Sequence, residues 1–383
     1  MSTAASYPLQ RDIRLDFFRG IALLIIFINH IPFNELSLYT PSRFGLSDAA
    51  EIFVFLSGCT AALAYQRSFM RSSFWLGTAR VLHRCGQIYT AHLRVFFALA
   101  LVCVIGNGLF FEPDYISRLN LYYFFNEAQE ALLGLVMLRY VPNYFDILPM
   151  YLVILLFIPL LITLSRLHTG LAVAFSLGLY LAMWLWGLEL PADPRSDRPW
   201  FFNPFGWQLI FFAGFALYAG WIRPPSLNRT LLALCCLVVI IAVPISHEPT
   251  YRHLGWLAEI RAALAPWLDK THLGPLRWLH FIALAYMAVY ALKGRESWLS
   301  RGWVPALISK LGQHSLPVFQ VSLVLSYIGG MVLDRAGHTF WSLLIVNMGG
   351  CGLLISTAYL LAWFKENPWK SDLPQAIGLS SAS

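Results

Sequence analysis

Charge is what this 383-residue sequence has least of. Asp, Glu, Lys and Arg together make up 12% of it, while 58% of its residues are apolar, and that charged fraction is about half the share usual in soluble domains. A water-soluble domain of this length needs a more polar surface, whereas lipid lets apolar side chains face outward as well as inward. There is no dense basic tract: 27 Lys plus Arg stand against 20 Asp plus Glu, and the net charge of +7 is scattered, which argues against nucleic-acid binding. The six cysteines, Cys59, Cys85, Cys103, Cys235, Cys236 and Cys351, have no metal-ligand spacing and read as buried thiols. Neither a metal nor a tightly bound cofactor is expected. No internal repeat is visible, which counts against transporter folds built from duplicated halves. The first apolar run lacks a small-residue cleavage site and is long enough to span, so it reads as an uncleaved anchor. No stretch is polar enough to form a separate soluble domain. One membrane domain over 1–383 is expected, with a core over 11–365 and short tails over 1–10 and 366–383.

What is abundant is continuous apolar sequence. Windows of about twenty residues predict ten membrane helices near 14–33, 48–66, 87–111, 143–165, 169–190, 203–222, 228–247, 276–293, 315–333 and 340–365. The runs do not alternate, and barrel strands are half as long, so the fold class is an all-α polytopic membrane protein. Two connecting loops, 67–86 and 293–314, are rich in Lys and Arg and should be cytoplasmic, which with ten spans puts both termini inside. The outer loops are then 34–47, 112–142 and 248–275. The second of these holds Glu112, Asp114, Glu127 and Glu130 and an amphipathic stretch, NEAQEALLGLVMLRY, suited to the interface.

An ionisable side chain within an apolar helix costs roughly 2.5 to 3.5 kcal/mol on insertion scales, so it usually faces a cavity or a partner. The first helix, RLDFFRGIALLIIFINH, carries Asp16 and Arg19 near its inner end and His30 near its outer end. Eleven residues return to nearly the same helix face over roughly 16 Å, so Arg19 and His30 share one stripe at different depths. The second helix starts SDAAEIFVFLSG, with Asp48 and Glu51 one turn apart at the depth of His30. Asp48 suits a helix cap. Glu51 beside His30 would raise the imidazole's basicity and fix its tautomer, the pairing of a general base. His92 and His280 lie within other spans, where an imidazole either makes one packing hydrogen bond or lines a site. Arg80, His83 and Arg84 recur at one-turn spacing before the third span, as a phosphate-holding ladder or as ordinary positive-inside charge. Asn143, Tyr144 and Asp146, with Asn203, Trp207 and Gln208, put amides and a carboxylate beside aromatic rings near the outer ends, as sugar binding requires, although interfacial aromatics are also common anchors.

Taken in order, RLDFFRGIALLIIFINH, AEIFVFLSG, NYFDILPMY, FNPFGWQLIF, LGPLRWLHFIALAY and LGQHSLPVF resemble the OpgC family, within the wider group that includes the acyltransferase-3 proteins. The resemblance runs from about residue 11 to 365. It implies a bacterial inner-membrane enzyme that moves an acyl group, typically succinyl, from cytoplasmic acyl-CoA to hydroxyls of osmoregulated periplasmic glucans. His30 matches the functional histidine of the wider group's first helix, and Arg19 the arginine of its Arg-Gly pair. Arg80 and Arg84 match basic residues after the second helix. The wider group continues there into an Arg-x-x-Pro-x-Tyr string. This chain has CGQIYTAH, whose Tyr89 and His92 look like the OpgC version. The implied roles are His30 and Glu51 in catalysis and Arg19, Asp16, Arg80, Arg84, Tyr89 and His92 toward the donor. Asp146, Asn203, Trp207, Gln208 and His280 fall toward the acceptor. Direct transfer and an acyl-histidine relay both stay open, as does the cation that would meet a succinyl carboxylate, among Arg277, Lys270 and Arg94. Implied partners are acyl-CoA, a periplasmic glucan, the lipid bilayer, and either a second copy or other glucan-synthesis proteins. The competing reading is an exporter of the glucan or of an acyl carrier that forms no ester.

Overall fold

The computed structural model describes residues 12–110 and 113–370. Glu112, the first tail and the end of the second lie outside them. Every apolar window carries a helix. They are α1 (Ile13–His30), α2 (Ala49–Arg71), α3 (Phe74–Leu109), α4 (Ile147–Leu167), α5 (Thr169–Trp186), α6 (Pro204–Tyr218), α7 (Arg229–Ser246), α8 (Pro275–Leu292), α9 (Ser315–Ala336) and α10 (Phe340–Lys365). Eight of these are long and apolar enough to cross a membrane. Of the other two, α1 carries Arg14, Asp16 and Arg19 in its first half and α6 is only 15 residues long. No strand forms among the described residues, where Pro191 and Pro199 make one isolated bridge. The chain is an all-helical, multi-pass membrane protein.

The helix starts follow local chemistry. The Asp12 side chain accepts from the backbone of Arg14 at the start of α1. Asp48 and Glu51 form a reciprocal capping box on α2. Ser73 caps α3, and Asn203 caps α6 ahead of Pro204, whose missing N–H is no loss in a first turn.

The connecting stretches hold more structure than expected. The basic stretch 67–86 is no loop: α2 runs on to Arg71 through a π-turn over Ala62–Gln66, and α3 begins at Phe74. Arg80 and Arg84 therefore sit on the first turns of a 36-residue helix. Stretch 293–314 folds into the short helices Glu296–Arg301 and Trp303–Gln313. Helical turns also fill much of 115–136 and 248–268.

Two close approaches set the centre of the bundle. A methyl group at Gly58 of α2 would lie 1.9 Å from the Phe211 carbonyl oxygen of α6, and one at Gly214 of α6 would lie 2.3 Å from that of Phe55. The backbones of α2 and α6 thus touch, as small residues allow in membrane bundles. The helix α6 is accordingly the most enclosed, with Trp207, Phe211 and Phe215 sealed from solvent. By contrast, α7 turns Leu234, Leu237, Ile240 and Ile241 outward, a face that suits lipid. Gly58→Val should force α2 from α6 and lower thermal stability in detergent by about 1–3 kcal/mol, as overpacking does. An unchanged melting temperature would contradict this packing.

Candidate functional site

At its C-terminal end α1 delivers His30 to a cavity of about 520 Å³. Asn29, Asp48, Tyr144 and Asp146 share its wall, and Ser42, Arg43, Phe201 and Lys270 reach it from connecting segments. The His30 Nδ1 lies 2.7 Å from the Ile26 carbonyl oxygen one turn back. A carbonyl only accepts, so Nδ1 carries the hydrogen, and in the neutral ring Nε2 keeps its lone pair. The Tyr144 hydroxyl donates to the His30 carbonyl, and its ring meets the imidazole edge-on at 4.9 Å between centroids. Tyr144 holds φ at +89°. Such a conformation in a non-glycine residue costs of order 1–3 kcal/mol and survives only when its surroundings enforce it.

Glu51 does not pair with His30, which corrects the sequence-based expectation. Its carboxylate is fully buried and accepts from the Arg277 guanidinium at 2.6 and 2.8 Å and from the Asp48 backbone N–H at 2.8 Å. The capping box turns Glu51 back toward the start of its own helix, and Arg277 of α8 holds it there. The Ile26 carbonyl, not a carboxylate, orients the imidazole. Lys270 donates to Asp48 at 2.6 Å and lies 5.9 and 5.6 Å from the ring centroids of Phe201 and Phe202.

Toward the basic stretches lies a second, smaller cavity of about 80 Å³, lined by Arg19, Ser57, Thr60, Arg84, Tyr151 and Ser315 among others. Arg19 donates to the Leu56 carbonyl at 3.0 Å and to the Thr60 hydroxyl at 2.8 Å. Arg84 donates to Gln87 at 2.8 Å. Arg19 and His30, eleven residues apart on α1, thus open onto two different cavities. The remaining donor-side residues are elsewhere. Asp16 is buried, with its backbone against Gly312, and Arg80 is exposed and bonded to Ser68. Tyr89 donates to the Val136 carbonyl at 2.8 Å, because the short helix Ala128–Val136 packs there. His92 is buried, with no hydrogen-bond partner on either ring nitrogen among the described residues, and meets Phe145 edge-on.

Of the acceptor-side residues, Asp146 lines the large cavity, accepting from the Phe201 N–H at 2.9 Å. The other four are absent from its lining, and, the Nε2 of His280 apart, their side-chain polar atoms are bonded within the fold. Asn203 caps α6 and donates to the Leu188 carbonyl. Trp207 donates to the Lys270 carbonyl at 3.0 Å. Gln208 is bonded to Ser176 through both its oxygen and its nitrogen. The His280 Nδ1 meets the Ser47 hydroxyl at 2.7 Å, so it supports the residue before Asp48. Of the three cations considered for a carboxylate, Arg277 is held by Glu51 and Asp48, Arg94 is exposed and bonded to Thr90, and Lys270 lines the cavity. Asn29, Ser42, Arg43, Ile147 and Phe319 belong to the cavity wall as well. Short polar or ordinary apolar residues, and a single arginine in a loop, carry no sequence signal of a site in these positions.

Lys270 is presented by a turn in which a histidine bridges two carboxylates. His272 bonds Asp269 through Nδ1 and Glu189 through Nε2, the latter at 2.9 Å. The Asp269 hydrogen bond, then Glu189, raises the imidazole above its ordinary 6.5 despite partial burial. A raised folded value means that this contribution to stability is complete below 6.5 and is lost as pH rises through the folded value. Melting temperature in detergent should therefore fall across that range in the native protein, and His272→Gln should flatten the fall. Identical pH profiles for the two proteins would rule the linkage out.

The chain matches the OpgC protein family over residues 11–366. No curated protein and no solved structure is a match for it. The family match spans all ten long helices and both cavities, and this multi-pass, all-helical membrane protein belongs to the OpgC family.

Proposed function

We propose that this protein is an inner-membrane O-acyltransferase that moves an acyl group, succinyl in the first instance, from cytoplasmic acyl-CoA to a hydroxyl of a periplasmic glucan. Family membership supports the class of reaction. The observation that carries the site assignment is that His30, its Nδ1 occupied by Ile26, lines a cavity sharing Ile147 and Phe319 with the smaller cavity of Arg19 and Arg84. In this reading the glucan hydroxyl enters the large cavity. Phe201 and Phe202 offer faces to the C–H side of a pyranose, and Asp146, with the hydrogen-bonded pair Asn29 and Ser42 on the same wall, takes hydroxyls. Arg19 and Arg84 attract the donor's phosphates from the basic side.

Nε2 of His30 takes the hydroxyl proton as the oxygen attacks the thioester carbon. The new C–O bond forms, the C–S bond breaks, and the imidazolium returns the proton to the departing thiolate. Lys270 meets the free carboxylate of a succinyl group by exchanging Asp48 for it, since Lys270 lines the large cavity whereas Arg277 is held by two carboxylates behind its wall. The test is purified protein in detergent with radiolabelled acyl-CoA and glucan, in which labelled ester should appear. Glucan flux across vesicles with no ester formed would favour the exporter reading instead.

A further inference from the structure

The linings of the two cavities have two residues in common, Ile147 at the start of α4 and Phe319 in the second turn of α9. Phe319 is almost sealed from solvent at 2% exposure, and Phe53 of α2, which lines the smaller cavity, stacks on it at 5.9 Å between centroids and 28° between planes. Nothing polar belongs to this shared wall. His30 and Asp146 lie on one side of it, and Arg19, Ser57 and Thr60 on the other. Three apolar side chains from three helices thus stand between a polar space and a basic one.

We infer that Ile147 and Phe319, backed by Phe53, are a specificity-determining partition: they close the passage between the two cavities, yield when a donor's acyl group displaces them, and otherwise keep water in the large cavity away from the donor's thioester. The inference rests on the acyltransferase reading for what crosses, though not for the partition itself. Side chains of this kind can yield by rotamer change. Water is the reactant such a partition must exclude. Were it to reach the thioester carbon with His30 as base, its oxygen would form the C–O bond, the C–S bond would break, and the acyl group would leave as a free carboxylic acid beside the free thiol.

Ser57→Cys places a thiol on the basic side. Spheroplasts, which expose the outer face alone, are treated with a charged, membrane-impermeant methanethiosulfonate, and modification is read at the peptide carrying the new cysteine. Adding Phe319→Ala should speed labelling by about tenfold, since truncation of a packed ring opens local access. Ser315→Cys serves as a second reporter should Ser57→Cys fail to accumulate. Equal labelling with and without Phe319→Ala, at both reporters, would overturn the partition, whatever the enzyme does. The second readout is thiol release from acyl-CoA by purified protein without glucan, expected to rise several-fold in Phe319→Ala and to stay near the native level in Phe319→Leu. Faster labelling with no thiol release would keep the partition and count against the acyltransferase reading.

Discussion

His30→Ala should abolish ester formation, by a factor of about 10²–10⁴, the usual contribution of a positioned general base, while the protein accumulates in the membrane and melts as the native protein does. Both halves follow from where the ring is. It is the last residue of α1 and only partly buried, and its side-chain hydrogen bond is to the Ile26 carbonyl within its own helix. Removing it empties a position on a cavity wall and leaves no buried group without a partner. The comparison needs radiolabelled acyl-CoA, the glucan and matched amounts of folded protein. His30→Gln should be as inactive as the alanine variant, because an amide accepts a hydrogen bond without acting as a base near neutral pH. Transfer that persists in both variants would remove His30 from the chemistry.

The second large effect is on stability. Arg277→Met should destabilise the protein by about 3–5 kcal/mol, the cost of leaving one member of a buried ion pair alone. Glu51 has no exposed surface, and Arg277 supplies its two side-chain contacts. Lys270 is engaged with Asp48, so no spare cation stands ready to replace the guanidinium. The double variant Arg277→Met with Glu51→Gln removes both charges while keeping an acceptor for the Asp48 N–H, and it should recover much of the loss. Thermal melting in detergent measures all three proteins. A single variant as stable as the native chain would mean that the pair contributes nothing. The same reasoning separates Glu51 from His30: Glu51→Gln should cost stability before it costs chemistry.

How far the site could be read in advance differed from residue to residue. The relation of Arg19 to His30 needs only the pitch of one helix, and each lines a cavity of its own. The pairing of Glu51 could not be read that way. Its partner is 226 residues away, and a carboxylate near two basic groups takes whichever the packing brings into contact. Asn203, Trp207 and Gln208 looked like sugar ligands because amides and indoles serve packing and recognition equally well. Only the positions of Leu188, Lys270 and Ser176 show that they serve packing here. Tyr89 and His92 were assigned to the donor side by resemblance alone, and the fold of stretch 115–145 against α3 sets them apart from both cavities.

The amino-acid order by itself determined the membrane class, the ten helices and the stripe on α1, because apolarity, capping and helical periodicity act over a few residues and need no partner. Tertiary structure alone decided which carboxylate meets which cation, that a backbone carbonyl orients His30, and that Ile147 and Phe319 stand between two cavities. Those outcomes depend on contacts between helices far apart in the chain, where close packing selects one neighbour from several of the same chemistry.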